Sequence, residues 1–210
     1  MKKAVIFCNG IIEDYNYIQR RDFDDTLIIC ADGGLRHVKK LGLVPDVIVG
    51  DNDSWQEKYP DAPFVIKCPQ EKDYTDTQCC IDYAIENGYK NIEIIGGFGG
   101  RRDHEFSHYC LLAYGLRMGA DIKITDEHNE VTIKDKPFVL EKTDKKYVSF
   151  FPFGGCVEGF CVNGLKYCAE DMRLDCNLVQ ASSNEFDTSD RAEVKFKSGT
   201  MLVMLCDDVE

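Results

Sequence analysis

No apolar run in the 210 residues approaches the length needed to span a bilayer. The first ten residues turn polar too soon to hold the apolar region of a secretory leader. The chain is therefore expected to be cytoplasmic, with no membrane partner. Basic residues are outnumbered: 25 Lys and Arg face 37 Asp and Glu, a formal net charge of −12. That balance disfavours nucleic acid and anionic lipid, and favours a cation or a metal-complexed anion. Cys-x-x-Cys is absent although the chain has 11 cysteines. A zinc cluster built from Cys156, Cys161, Cys168 and Cys176 would lack its usual paired spacing. In a reducing compartment an odd number of thiols, several within apolar runs (Cys8, Cys30, Cys110, Cys206), reads as small core residues. Internal repeats, low-complexity tracts and a flexible linker are missing too. So are a Walker loop and a Gly-x-Gly-x-x-Gly fingerprint at a strand-to-helix junction.

The 44% of apolar residues suffices for one large domain or two modest ones. Up to about residue 127 strand and helix patterns alternate, which points to an α/β domain with a mainly parallel sheet covered on both faces. The expected strands are Ala4–Cys8, Leu27–Ala31, Val47–Gly50, Phe64–Lys67, Ile92–Gly96 and Ile122–Thr125. A helix should start near Thr75, with Gln78 completing a capping box, and stop at Asn87-Gly88. A second, from His104 to Met118, is apolar nearly all round after Tyr109 and should be largely buried. Leu35–Leu41 makes a shorter one. Beyond residue 127 short runs separated by Gly, Asn, Asp and Pro indicate an all-β sandwich domain, 128–210. Its expected strands are Glu130–Lys134, Phe138–Glu141, Tyr147–Phe151, Ala192–Phe196 and Met201–Cys206, with Gly154-Gly155, Asn163-Gly164 and Ser198-Gly199 supplying turns.

Four acidic or glycine-rich segments follow apolar runs: Ala31-Asp32-Gly33-Gly34, Gly50-Asp51-Asn52-Asp53-Ser54, Lys72-Asp73-Tyr74-Thr75-Asp76 and Gly96 through His104. In an open α/β sheet, ligands bind beyond the carboxyl ends of the strands, so these segments can converge on one site. Asp51 and Asp53, one residue apart after a strand, can turn both carboxylates to one Mg²⁺. Asp73, Asp76 and Asp103 open helices beside the same crevice. Each alone would also serve as an ordinary first-turn acid; five together point to a shared metal or phosphate site. Gly96, Gly97, Gly99 and Gly100 allow close backbone approach, the amides entering the helix near Asp103 suit a phosphate, and Arg101 and Arg102 add fixed positive charge.

One rival signal shares this segment. His104-Glu105-Phe106-Ser107-His108 matches the zinc-peptidase pattern, with Glu127 as a possible third ligand. That reading leaves the other acidic segments unexplained; the alternative places His104 at the phosphate site and lets His108 pack or hydrogen-bond. In the β domain, 163–167 and 182–186 put small polar groups and aromatics on loops, where Tyr167 beside Ser183 and Asn184 could stack on and hydrogen-bond a flat heteroaromatic ring.

The ordered set resembles the thiamin pyrophosphokinase family along almost the whole chain. The resemblance is carried by Ala31–Gly34, Pro45–Ser54, Lys72–Asp76 and Gly99–His104, then by Gly164–Tyr167 and Ser183–Glu185. It departs from the family pattern at Asn52 and Arg102. It implies an ATP-binding catalytic α/β domain, 1–127, and a β-sandwich, 128–210, that contributes to thiamin binding and dimerisation. It also implies a homodimer whose active sites combine both subunits. The implied activity moves the diphosphoryl group of ATP to the thiamin hydroxyl, with Mg²⁺ held by Asp51, Asp53, Asp73 and Asp103. Asp76 and Arg101 would join the catalytic set. Asp32, Gly33, Gly34, Ser54, Lys72, Thr75, Gly97, Gly99, Gly100, Arg102 and His104 would lie on the nucleotide side, with Asp32 contacting metal or thiamin. Tyr167, Ser183 and Asn184 would hold thiamin. The different-class alternative is a catalytically silent nucleotide- or thiamin-binding regulator.

Overall fold

The computed structural model describes residues 2–50, 64–66 and 74–209. The chain forms two compact units, Met1–Glu127 and His128–Glu210. In the first, the order is β1 (Lys3–Phe7), α1 (Asn16–Gln19), β2 (Thr26–Ala31), a 3₁₀ turn at Asp32–Gly34, α2 (Leu35–Lys40), β3 (Val47–Val49), β4 (Phe64–Ile66), α3 (Asp76–Glu86), β5 (Asn91–Ile95), α4 (Arg102–Arg117) and β6 (Asp121–Thr125). These strands lie in the order β6-β5-β1-β2-β3-β4. All five pairings are parallel.

A parallel sheet covered on both faces needs apolar side chains at every position, and the β-branched runs supply them. Val5, Phe7, Ile28, Cys30, Ile48 and Ile95 bury one face against Ile18 of α1 and Leu35 and Val38 of α2. Each such side chain contributes about 1.5–3 kcal/mol when fully buried. On α4, Gly115 rides so close to β6 that a Cβ there would come within 2.2 Å of the Ile122 side chain. Helix α3 starts where the sequence places it: the Thr75 hydroxyl accepts a hydrogen bond from the Gln78 amide at 3.2 Å.

Two expectations are corrected here. Helix α4 begins at Arg102 and buries one stripe, His108, Leu111, Leu112 and Gly115, rather than most of its surface. Cys110 is accordingly exposed, while Cys8, Cys30 and Cys80 are core residues.

Glu93, in the middle of β5, is 1% exposed. Lys3 Nζ at 3.3 Å, Lys123 Nζ at 3.9 Å and the Arg21 guanidinium surround it, and the Thr125 hydroxyl donates to it at 2.8 Å. Burial pushes its carboxyl pKa up, but the Lys123 and Arg21 charges and the hydrogen bonds outweigh that and hold it below the usual range.

The second unit contains β7 (Asn129–Lys134), β8 (Phe138–Glu141), β9 (Tyr147–Pro152), β10 (Val157–Asn163), β11 (Ala169–Leu174), β12 (Ala181–Glu185), β13 (Arg191–Lys195) and β14 (Met201–Cys206). They form two antiparallel layers, β12-β9-β14-β7 and β11-β10-β13-β8. Both layers contribute to one core, in which the Phe150 and Phe160 rings sit 5.3 Å apart and tilted by 56°. Strands β10, β11 and β12 escape the sequence reading. β10 is interrupted by Gly159, its pairing with β11 is irregular, and β11 and β12 carry too many charged or small polar residues to alternate visibly. Ser183 and Asn184 therefore lie on a strand, not a loop. Among the described residues no helix is long and apolar enough to cross a membrane.

Candidate active site

β1 is flanked by β2 on one side and by β5 on the other, so successive connections leave it in opposite directions and open a crevice beyond its carboxyl end. The loops after β1 and β5 are laced together there. The Cys8 amide donates to Ile95 O and the Gly10 amide to Gly96 O, each at 2.8 Å. Gly96 adopts φ +72° and sits so near β1 that a Cβ would meet Cys8 O at 2.5 Å; only glycine satisfies both conditions. With the turn after β2 and the start of α3, these loops enclose a cavity of about 270 Å³.

Eight residues expected at the site from the sequence line this cavity: Asp32, Thr75, Asp76, Gly96, Gly97, Gly100, Arg101 and His104. Asp32 holds φ +46°, a left-handed conformation unusual outside glycine but one that Asp tolerates, and it turns the chain sharply into the 3₁₀ turn. Gly33 and Gly34 sit in that turn, where a Cβ would strike Asn9 or Phe7 O, so they serve backbone packing. Gly97 likewise gives room to Ile124, whereas a Cβ on Gly100 would meet nothing within 4 Å. Of the loop glycines beside β5, Gly100 is the one open to an approaching ligand. Asp51, Asp53, Ser54, Lys72 and Asp73 lie outside the described residues, as does Asn52.

Arg101 and Asp103 form a two-bonded pair, Nε to Oδ1 at 3.1 Å and Nη2 to Oδ2 at 2.5 Å, with side chains 74% and 62% exposed. Hydrogen bonding to Arg101 holds the Asp103 carboxyl below its ordinary range. Both Asp103 oxygens accept from Arg101, so a metal there would share the carboxylate with Arg101 or displace it, and solvent screening makes displacement inexpensive. Arg102 pairs with Glu105 at 2.7 Å.

Sequence reasoning expected His108 to pack or hydrogen-bond, as it does, but missed Cys8 and Thr77 as wall residues and the role of His37. His108 Nδ1 lies 2.7 Å from Gly97 O, and its Nε2 faces the Thr77 hydroxyl at 3.4 Å. Burial lowers its pKa. Cys8 Sγ completes the chain at 3.4 Å from Thr77, and burial pushes its thiol up to about 12, which makes it a neutral wall rather than a nucleophile. His37, 2% exposed, reaches Gly10 O at 2.9 Å and the Tyr15 hydroxyl at 2.5 Å. Burial drops its pKa to about 4. Neutral His37 then donates to Gly10 and accepts from Tyr15, fixing the β1 loop. An isolated His or Thr on a helix face gives no sequence signal for such a role.

The zinc-peptidase reading fails on this geometry: both ring nitrogens of His108 face protein groups, and Glu127 accepts from the Asp14 amide at 3.2 Å. Among the described residues no group of three or more His, Cys, Asp or Glu could hold a metal, which also removes the four-cysteine cluster. Of the carboxylates that line the cavity, Glu105 is taken up by Gly99, Gly100 and Arg102, and those of Asp32 and Asp76 supply hard oxygens. One or two such carboxylates plus substrate phosphates and water is the usual environment of Mg²⁺, so the described donor set fits that ion.

The second unit has a smaller cavity of about 150 Å³ between Phe150, Phe160, Tyr167, Met172, Ala181 and Asn184. Tyr167 is 62% exposed, with Lys166 Nζ 5.6 Å from its ring centroid. Asn184 is buried and clamps the Tyr167 backbone, accepting from its amide at 3.0 Å and donating to its carbonyl at 2.7 Å. Ser183 sits at a bulge in the β12–β9 pairing with φ +56°, its amide bonded to Ser149 Oγ at 2.9 Å. The bulge lets consecutive residues 182 and 183 both face solvent.

Two family models match consecutive stretches: thiamin pyrophosphokinase, catalytic domain, over residues 22–124, and thiamin pyrophosphokinase, vitamin B1 binding domain, over residues 127–201. Thiamine pyrophosphokinase of Bacillus subtilis is 29% identical over 192 residues, 88% of this chain and 89% of that protein. Thiamin pyrophosphokinase 1 of Caenorhabditis elegans is 25% identical over 189 residues, 83% and 76% of the two chains. A crystal structure of the Bacillus subtilis thiamine pyrophosphokinase superposes with a TM-score of 0.88 at 27% identity, covering 99% of this chain and 100% of that one. The yeast thiamin pyrophosphokinase shares the fold, with a TM-score of 0.80 at 16% identity over 98% and 86% of the two chains. With its four acidic and glycine-rich segments in order and both models placed end to end, the chain belongs to the thiamin pyrophosphokinase family.

Proposed function

We propose that the protein transfers the β,γ-diphosphoryl group of ATP to the primary hydroxyl of thiamin, giving thiamin diphosphate and AMP. The observation that carries this reading is the convergence of Asp32, Asp76, Gly100, Arg101 and His104 on one cavity at the carboxyl ends of β1, β2 and β5. In the reaction the thiamin oxygen attacks the β-phosphorus, the bond from that phosphorus to the α,β-bridging oxygen breaks, and AMP leaves with that oxygen. The hydroxyl proton passes to a nearby carboxylate or to water.

Asp51, Asp53, Asp73 and Asp103 would hold Mg²⁺, with Asp32 and Asp76 beside them; bound there, the ion neutralises polyphosphate charge. Arg101 leaves Asp103 and takes phosphate oxygens, an exchange of one anionic partner for another. Ser54, Lys72, Thr75, Arg102 and His104 complete the nucleotide side, where Gly33, Gly34, Gly97 and Gly99 act by letting the loops pack into shape. The unit 1–127 is accordingly assigned to ATP and catalysis and 128–210 to thiamin and dimerisation, in a cytoplasmic homodimer whose sites draw on both subunits.

Thiamin is a cation with two flat rings, so an exposed aromatic on a clamped loop suits it. Tyr167→Ala should raise the thiamin KM about 3- to 30-fold, the span of a cation–π contact of roughly 0.7–2 kcal/mol, with little change in kcat. Asn184 acts through its hold on the Tyr167 loop, and Ser183, exposed at the bulge and outside the lining of the cavity beside Tyr167, would meet a polar ring edge from the open side. An unchanged thiamin KM in Tyr167→Ala would remove Tyr167 from the site.

The direct test incubates the full chain with Mg²⁺, ATP and thiamin. Thiamin-dependent AMP supports the reading; thiamin binding without turnover would establish the silent regulator instead.

A further inference from the structure

We infer that Glu105 is a positioning residue for the nucleotide: its carboxylate holds the glycine loop between β5 and α4 in the shape that presents Gly100 and Arg101 to the cavity. Glu105 Oε1 accepts from the amides of Gly99 and Gly100 at 3.0 and 3.4 Å, and Oε2 accepts from Arg102 Nη1 at 2.7 Å. Helix α4 sets this up. Glu105 lies one turn into the helix, and a helical side chain leans back toward the amino terminus, which carries the carboxylate over the loop. The side chain is 13% exposed and lines the cavity.

Consecutive amides in such a turn make a concavity that binds anions, and here an internal carboxylate fills it. A loop containing Gly96, Gly97, Gly99 and Gly100 has large conformational freedom when untethered. Two hydrogen bonds from one helix-borne group remove much of it before any ligand arrives, which lowers the ordering cost of binding. The polyphosphate then meets Gly100 and Arg101 already in place. Glu105 touches no reacting atom in this scheme and acts through the loop.

The inference rests on the cavity being the ATP site, and the experiment separates the two. Titration calorimetry with Mg²⁺ and a non-hydrolysable ATP analogue is run on the full chain and on Glu105→Ala, Glu105→Gln and Glu105→Asp, each first checked for cooperative thermal unfolding. The wild-type chain is expected to bind. Glu105→Ala should bind about tenfold more weakly, equivalent to about 1.4 kcal/mol. Glu105→Asp, one methylene too short to reach both amides, should follow it, and it keeps the charge if the alanine variant unfolds. Glu105→Gln should recover most of the affinity, because its carboxamide oxygen still accepts from Gly99 and Gly100. Equal affinity in all four chains overturns the inference, as does a glutamine variant no better than alanine. Tighter binding by Glu105→Ala also overturns it, since the carboxylate would then be competing with phosphate for those amides. A wild-type chain that binds no analogue removes the ATP-site reading itself, and the inference with it.

Discussion

Arg101→Ala is expected to lower turnover of ATP and thiamin by about 10²–10³-fold, the usual cost of deleting one preorganised group that stabilises transition-state charge. The residue caps α4 only through its backbone and makes no side-chain cap bond. Its side-chain partner Asp103 is itself exposed. Thermal stability of the variant should therefore match that of the parent, and a steady-state assay of AMP release read beside a melting curve checks both halves. Arg101→Lys should recover only part of the activity, because a point ammonium cannot reproduce the forked donation that Nε and Nη2 now make to Asp103 and would make to a phosphate. Turnover within threefold of the parent in Arg101→Ala would remove Arg101 from the phosphate clamp.

Glu93→Ala acts on the fold. It should destabilise the chain by about 3–5 kcal/mol, because it removes the buried carboxylate around which Lys3, Arg21 and Lys123 gather. A denaturant titration at neutral pH reads this directly; a loss below 1 kcal/mol would show that the cations relax into solvent. The pH dependence has a definite sign. The folded-state pKa of Glu93 is depressed, so the unfolded chain binds the proton more readily, and the stability due to this charge is fully present above the ordinary glutamate value of about 4.3. It is lost as pH falls through the lower folded-state value. Glu93→Gln should remove that part of the acid sensitivity and leave the stability profile flatter below pH 4.

The parallel sheet was legible because its strands are buried on both faces and read as short β-branched runs. Its site was legible because glycine and aspartate cluster where such strands end. Thr75 showed itself as a cap for the same reason: the hydroxyl–amide bond is local, and three residues contain all of it. Long-range features were not legible. Nothing in the run Asn91–Ile95 says that Glu93 is buried among three cations from β1, β6 and the segment after α1, since that depends on strand order. Glu105 reads in the sequence only as part of a zinc motif, because its bonds to Gly99 and Gly100 exist only once the loop folds back onto it. His37 and His108 each hold a loop of the site through one carbonyl, a contact between residues 27 and 11 positions apart. In the sandwich, β11 and β12 are visible only through pairing, because their side chains lack alternation. Asn184 shows the cost of reading residues singly: expected on a loop facing a ligand, it is a buried clamp that holds Tyr167 in place.

The most direct test of the account uses ATP carrying ¹⁸O in the α,β-bridging position, incubated with the full chain, Mg²⁺ and thiamin, with products separated and weighed by mass spectrometry. Diphosphoryl transfer by attack at the β-phosphorus predicts AMP and thiamin diphosphate in equal amounts, with the heavy oxygen in AMP. ADP with thiamin monophosphate, or AMP formed at the same rate without thiamin, would contradict it.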